Sequence, residues 1–310
     1  MTGREQLLDE LRPLAFRVAY RMLGSVSEAE DIVQEALLRV HQALDSGEEI
    51  ASPRAYVTTI ATRLAIDELR SARARRELYV GEWLPEPIVT ENPEDPARQA
   101  EIADSISMAM LLVLESLSPE ERAAFLLHDA FDYPYREIAP IIGKSEDNAR
   151  QLATRARRHI GEHRPRFQTT RQHRDELAQR FVAAAESGDL AELETILADD
   201  VVLTGDGGGK APSLARSLHG RTRVARVLRN WSRARSRIPS GVVFRLVEVN
   251  GDAGAMMLDA QQRVIGVLSL EISDGQIQRV MSVVNPEKLA HLGTVSNFGE
   301  LLRRESQSEF

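Results

Sequence analysis

The chain has 310 residues, with 39 Lys and Arg against 47 Asp and Glu, a net charge of -8 and no cysteine. That length suits two or three domains, each with its own core, while the absence of thiols excludes both a disulfide framework and a thiolate metal site. No apolar run approaches the roughly 20 residues that span a bilayer, and MTGREQLLDE lacks a signal-peptide centre, so the expectation is a soluble cytoplasmic protein with no membrane partner.

Residues 6–23 carry Leu7, Leu11, Leu14, Ala15, Val18 and Met22 at helical spacing, and Gly24 ends the pattern. The next helix opens at once, with Ser27 and Glu30 as its capping box and Ile32, Val33, Ala36, Leu37, Val40 and Leu44 as its inner face. Its other face presents Asp31, Gln34, Glu35, Leu38 and Arg39, which reads either as solvated surface or as a docking patch around an exposed leucine. After Pro53, a third helix directs Val57, Ile60 and Leu64 to a core. It leaves Tyr56, Thr58, Thr59, Thr62, Arg63, Asp67, Arg70, Arg73, Arg75 and Arg76 outward, an aromatic, hydroxyls and arginines suited to an unpaired nucleic-acid strand.

Residues 77–104 hold four prolines and many acids, too little apolar surface for a core, and read as an extended linker. Trp83 within WLPEP is the exception. About 200 Å² of aromatic surface gains little by staying in water, so the tryptophan is an anchor for a surface elsewhere or for its own neighbouring domain. A helix over 111–117 follows, and Ser118-Pro119-Glu120-Glu121 supplies a capping box with proline at the first helical position.

From Tyr135 to Ile160 the spacing is that of a helix-turn-helix. Ala139 is small where two helices cross, Gly143 tolerates the positive φ of a sharp turn, and Pro140 interrupts a short first helix. Ser145 caps the second helix; Ala149, Leu152, Ala156 and Ile160 face inward. Lys144, Ser145, Asn148, Gln151, Thr154, Arg155 and Arg158 remain for phosphates and base edges. Nine Lys or Arg against three acids over residues 144–174 make a local basic stripe in an acidic chain, so a partner is expected to supply most of the nucleic-acid affinity.

AEDIVQEALLRV, RAYVTTIATRLAIDELRSARARR and SPEERAAFLLHDAFDYPYREIAPIIG, followed by the helix-turn-helix, resemble in order and spacing a bacterial RNA polymerase sigma factor of the extracytoplasmic-function kind, over residues 5–162. The resemblance implies two all-α domains. Residues 1–76 would bind core polymerase at the beta-prime clamp through Asp31, Gln34, Glu35, Leu38 and Arg39, and melt and read the -10 element through the helix around Tyr56 to Arg70. Residues 105–165 would read the -35 element through the helix-turn-helix, seated on the beta flap. Many members carry Trp near Tyr56 and Asn near Thr62; this chain has neither, which leaves the -10 preference open.

Residues 166–293 form a different domain, followed by a tail over 294–310. Three helices, marked by Leu177 to Ala184, Leu190 to Leu197 and Val224 to Trp231, surround a strand that ends in the DGGGK turn, Asp206, Gly207, Gly208, Gly209 and Lys210. Four alternating stretches then read as a curved antiparallel meander, giving an α+β cone. The layout resembles the SnoaL-like domain, and WLPEP, DGGGK and NPEKL together resemble a sigma subgroup that carries it, which implies regulation in cis.

On this reading Trp83, Leu84 and Pro85 dock between the glycine turn and Asn285, Pro286, Lys288 and Leu289, with Lys210 and Lys288 meeting Glu82 and Glu86. The cone is also a candidate container for an unnamed small ligand. Catalysis would need an acid-base group facing its cavity; His219, Asp259 and Glu271 are available, but no pair has a telling spacing, and neither cofactor nor enzyme activity is expected. The runner-up is a dimeric helix-turn-helix regulator that works without polymerase. Residues 210–245, with ten Lys or Arg and no acid, fit none of these roles; the acidic linker, DNA and polymerase are all candidate partners.

Overall fold

The computed structural model describes residues 3–47, 49–76, 78–90, 106–161, 170–236 and 241–301, with side chains of 72–76 left aside. Arg73, Arg75, Arg76, most of the acid-rich linker and most of the expected tail therefore lie outside the described residues. The chain forms two compact units, one of residues 1–78 with 111–164, the other of 79–110 with 165–310.

The first unit is helical. α1 (Gly3–Leu23) ends where Gly24 turns left-handed at φ 66°, and α2 (Val26–Asp45) and α3 (Pro53–Arg76) pack against it. Ser25 caps α2 by accepting from the Glu28 amide at 3.2 Å, two residues before the expected Ser27 and Glu30 box, because the chain leaves the Gly24 turn directly into the helix. α4 (Met108–Glu115) precedes α5 (Pro119–Phe125), whose Ser118 and Glu121 form the full capping box. A short π-helical turn, Leu126–Ala130, leads to α6 (Tyr135–Ile142) and α7 (Glu146–Gly161).

In α3 the expected phase is rolled. Val57, Ala61, Ala65, Ile66 and Leu69 are buried together with Thr58 and Thr62, both 0% exposed, while Ile60 and Leu64 sit half-buried at the flank. Thr58 and Thr62 were expected outward on a nucleic-acid face. They share valine's branched shape, which suits a close-packed interior, and their hydroxyls have no hydrogen-bond partner among the described residues.

The second unit contains α8 (Arg171–Ser187), α9 (Leu190–Ile196), α10 (Arg221–Arg235) and a seven-stranded sheet of order β1-β4-β5-β6-β7-β2-β3. The strands are β1 (Val89–Thr90), β2 (Leu197–Asp206), β3 (Leu218–His219), β4 (Val242–Val249), β5 (Asp252–Asp259), β6 (Val264–Ser273) and β7 (Gln276–Val283); α11 (Pro286–Leu289) follows. β4 to β7 are the expected meander. The sheet is mixed rather than wholly antiparallel, because β2 enters before the helical crossover and lies parallel to β7, Leu203 opposite Val280. Leu177 and Phe181 of α8, Leu193 of α9 and Val224 and Leu228 of α10 pack on Leu268, Leu270 and Val280 to form the core. No helix among the described residues is long and apolar enough to cross a membrane.

Candidate functional site

Asp206, the last residue of β2, organises the site. Its carbonyl accepts from the amides of Val284 (2.8 Å) and Asn285 (3.0 Å), tying the end of β2 to the start of α11. Its carboxylate is 0% exposed. Oδ1 accepts from the Tyr79 hydroxyl at 2.5 Å, and Oδ2 accepts from the Leu84 amide at 2.8 Å and Lys288 Nζ at 2.7 Å. Lys288, 7% exposed, also donates to the Leu84 carbonyl, and its ammonium lies 4.2 Å from the Trp83 ring centroid and 5.0 Å from that of Tyr79. A cation against two aromatic faces away from water is bound more strongly than at an exposed site.

Asn285 completes the arrangement, donating through Nδ2 to Tyr79 Oη at 2.9 Å while its Oδ1 accepts from the Glu287 amide at 3.1 Å as the cap of α11. Burial, and then the adjoining Asp206 carboxylate, push the Tyr79 phenol far above its ordinary range, so it is a neutral donor at any physiological pH. Gly208 has φ 56°, and a Cβ there would stand 2.3 Å from Asn285 Nδ2 and 2.9 Å from Tyr79 Oη. A side chain at this position would displace the tyrosine.

Trp83, Leu84, Asp206, Gly208, Asn285 and Lys288 are thus brought together, with Pro85 and Leu289 buried beside them and Pro286 at the first turn of α11. For Lys210 the expected charge pairing differs. Lys210 pairs with Glu287 inside the C-terminal unit, Glu82 accepts from the Ser217 amide at 3.1 Å, and Lys288 turns inward to Asp206.

Two contributors escaped the sequence reading. Tyr79 lies outside WLPEP and carried no local signal. Asn250, read only as part of an NGD turn, is 3% exposed with φ 53°; its backbone amide donates to the Ile88 carbonyl (2.9 Å), its Oδ1 accepts from the Ile88 amide (2.9 Å), and its Nδ2 donates to the Ile106 carbonyl (3.0 Å). Its tolerance of the left-handed region was the available clue. Beside it Val89 pairs with Val249, adding β1 to the sheet edge.

The helix-turn-helix geometry follows its steric logic. Gly143 adopts φ 65° and ψ 38°, its amide donates to Ala139, and Ser145 accepts from the Asn148 amide at 3.3 Å. Ala149, Leu152, Ala153, Ala156 and Ile160 are buried; Lys144, Ser145, Asn148, Gln151, Thr154, Arg155 and Arg158 are exposed. Arg155 donates from Nε to Glu121 at 2.8 Å. On α2, Asp31, Gln34 and Arg39 are exposed, Glu35 is half-buried, and Leu38 is 48% exposed; Arg39 and Glu35 pair at 2.7 Å.

On α3, Arg63, Asp67 and Arg70 are exposed, with Tyr56 and Thr59 half-buried. Arg63 donates to the carbonyls of Pro140 (2.9 Å) and Ile141 (3.3 Å) at the end of α6, while Arg70 donates to Glu120 at 2.7 Å. Deeper in the unit, Arg122 is 2% exposed, donating to the Met22 carbonyl at 2.6 Å and Glu115 at 3.1 Å. Burial lowers its pKa to about 9, so it keeps its charge at neutral pH. In the second unit a cavity of about 280 Å³ lies among Trp231, Phe244, Met257, Leu268 and Phe298. None of the acid-base candidates lines it: His219 is exposed on β3, Asp259 holds Arg263 across a turn, and Glu271 pairs with Arg279.

Residues 7–75 match the family model of Sigma-70 region 2, and residues 107–160 that of Sigma-70, region 4. The chain is 38% identical over 298 residues to the ECF RNA polymerase sigma factor SigJ of Mycobacterium tuberculosis, covering 90% of this chain and 91% of that one. It is 31% identical over 274 residues to the probable ECF RNA polymerase sigma factor SigI of the same species, covering 88% and 90%. The crystal structure of M. tuberculosis SigJ matches with a TM-score of 0.73 at 36% identity, covering 91% of this chain and 96% of that one. Two helical sigma regions followed by an α+β domain are therefore a shared architecture, and the chain belongs to the extracytoplasmic-function RNA polymerase sigma factors.

Proposed function

We propose that this chain directs core RNA polymerase to particular promoters, and that its C-terminal domain controls that activity in cis by gripping WLPEP. In this reading Asp31, Gln34, Glu35, Leu38 and Arg39 meet the polymerase clamp. Tyr56, Thr59, Arg63, Asp67 and Arg70 serve the -10 element, and the exposed face of α7 from Asn148 to Arg158 serves the -35 element.

The observation that carries the control is the buried Asp206 and Lys288 pair, whose further partners are the main chain and rings of the segment joining regions 2 and 4. A buried ion pair adds little net stability, but it penalises any arrangement that leaves one charge alone, so we read it as a device for specifying one docked state. Arg63 and Arg70 support a held state as well. Both donate into region 4, and α3 can offer them to DNA only after those bonds are released.

Run-off transcription with core polymerase tests the proposal, comparing the full chain with Trp83→Ala, Asp206→Asn and the double variant. Both single changes should move transcript yield in the same direction, and the double should move it no further than the larger single, since both act on one contact. Additive effects would separate the two residues and remove the basis for cis control. Tight binding to a palindromic site without core polymerase, and no specific transcript, would favour the dimeric regulator instead.

A further inference from the structure

The acid-free stretch 210–245 is the one motif left without a role. Four of its cations are engaged: Lys210 with Glu287, Arg221 with Asp199 and the Leu197 carbonyl, Arg235 with the carbonyls of Val242 and Glu186, and Arg245 with the Gln262 side chain. Arg216, Arg223, Arg226, Arg229 and Arg233 make no ion pair or hydrogen bond among the described residues. Four of them lie on α10. At about 100° per residue, Arg223, Arg226, Arg229 and Arg233 fall within a third of the helix circumference, together with Thr222 and Asn230. Val224, Ala225, Leu228 and Ser232 occupy the buried opposite side.

Such a face is costly to keep. Arg223 with Arg226, Arg226 with Arg229 and Arg229 with Arg233 are like charges at three- and four-residue spacing, each unfavourable to an isolated helix. A protein of net charge -8 has acids enough to neutralise them, yet none stands on this stretch. The face also lacks an aromatic or aliphatic anchor of the kind that dominates protein interfaces; it holds guanidinium groups, a hydroxyl and an amide, the types that bind phosphate.

We infer that the outer face of α10 is a second nucleic-acid surface, which lies along the phosphate backbone of promoter DNA and does not read sequence. Arg223 to Arg233 span about 15 Å of helix axis, over which duplex DNA carries about nine phosphate charges. The surface would add sequence-independent affinity to the base-reading face of α7. The inference rests on the sigma reading only in naming promoter DNA as the duplex.

The test is an anisotropy titration of a labelled duplex with the full-length chain at several salt concentrations, using a promoter fragment and a scrambled fragment. Arg223→Ala, Arg226→Ala and Arg233→Ala combined should make the salt slope shallower by about three and weaken binding at least about tenfold at low salt, equally for both fragments. The same positions changed to lysine should keep most of the slope, which separates lost charge from lost fold. An unchanged slope overturns the inference, as does the absence of salt-dependent binding by the unaltered chain. Unchanged DNA affinity with weakened binding to core polymerase would assign the face to an acidic protein surface. Unchanged affinity with altered hydrogen exchange over 91–105 would assign it to the chain's own acidic segment. If the unaltered chain gives no run-off transcript while the slope falls as expected, the sigma reading fails and the DNA surface stands.

Discussion

Replacing Lys288 with methionine removes a charge and little volume, which isolates what the ammonium does. In the native chain that ammonium lies 2.7 Å from Asp206 Oδ2, also donates to the Leu84 carbonyl, and faces the rings of Trp83 and Tyr79. With methionine there, the Asp206 carboxylate keeps the Tyr79 hydroxyl and Leu84 amide as donors but loses its cation in a fully buried setting. Truncating one member of a buried pair costs about 3 to 5 kcal/mol, and the two remaining donors hold the expected loss near the lower bound, about 3 kcal/mol. That loss falls on the docking of residues 79–88 before it falls on the core, since water reaches the Asp206 carboxylate once the segment lifts away.

Hydrogen exchange of the Leu84 amide reads the event directly, because that amide donates to the affected oxygen. A loss of 3 kcal/mol corresponds to exchange about 100-fold faster at Leu84, with little change in the core amides of β6. Asp206→Asn combined with Lys288→Met should cost less than the sum of the single changes, since the double variant leaves no isolated charge. Leu84 exchange within threefold of wild type would refute the reasoning, and the clamp would then be maintained by packing rather than by the buried pair.

Gly208→Ala should loosen the same segment by about 1 to 3 kcal/mol, seen as faster exchange at Leu84, because φ 56° and a Cβ 2.3 Å from Asn285 Nδ2 strain the turn together. Thr58→Val with Thr62→Val should raise the stability of the helical unit, by about 1 kcal/mol per residue, since each buried hydroxyl lacks a partner among the described residues; a marked loss of stability would mean that these hydroxyls are solvated. Asp252 supplies a pH test. Burial raises its carboxyl to about 6, with Arg174 opposing and Glu271 and Glu248 reinforcing. The folded pKa exceeds the unfolded value, so ionisation works against folding: that penalty is fully present above about pH 6 and vanishes below about pH 4. Asp252→Asn should therefore flatten the gain in stability of the β4–β5 hairpin between pH 7 and pH 5, by at most about 2 kcal/mol, measured by hydrogen exchange; an unaltered pH profile would show that another group titrates.

The parts legible in the sequence were those with a local steric or capping logic. Gly143 and Ala139 specify a turn and a close crossing wherever they fold, and Ser118 with Glu121 closes a cap through its own backbone. Where two registers had equal local merit, tertiary packing decided: Ser25 with Glu28 and Ser27 with Glu30 both suit a cap, and the Gly24 turn selected the first. Thr58 and Thr62 were read by polarity, but their burial follows from shape. The parallel partnership of β2 with β7 has no periodic signature, since strand periodicity is the same in either direction. WLPEP, DGGGK and NPEKL stood out by resemblance, whereas the role of Asp206 as a shared acceptor depends on Tyr79 and Lys288, which are distant in sequence.

Asn250 has a consequence for how the linker counts as a length. Its backbone and Oδ1 hold Ile88 and its Nδ2 holds Ile106, so the chain leaves and re-enters at one turn. The residues between them could extend on the order of 60 Å, yet while both holds persist none of that contour adds to the tether between regions 2 and 4. Insertions and deletions within 91–104 should then pass unnoticed in the held state, because lengthening a loop whose ends are already joined costs only a logarithmic term. The dozen residues before that stretch are fixed by what they touch.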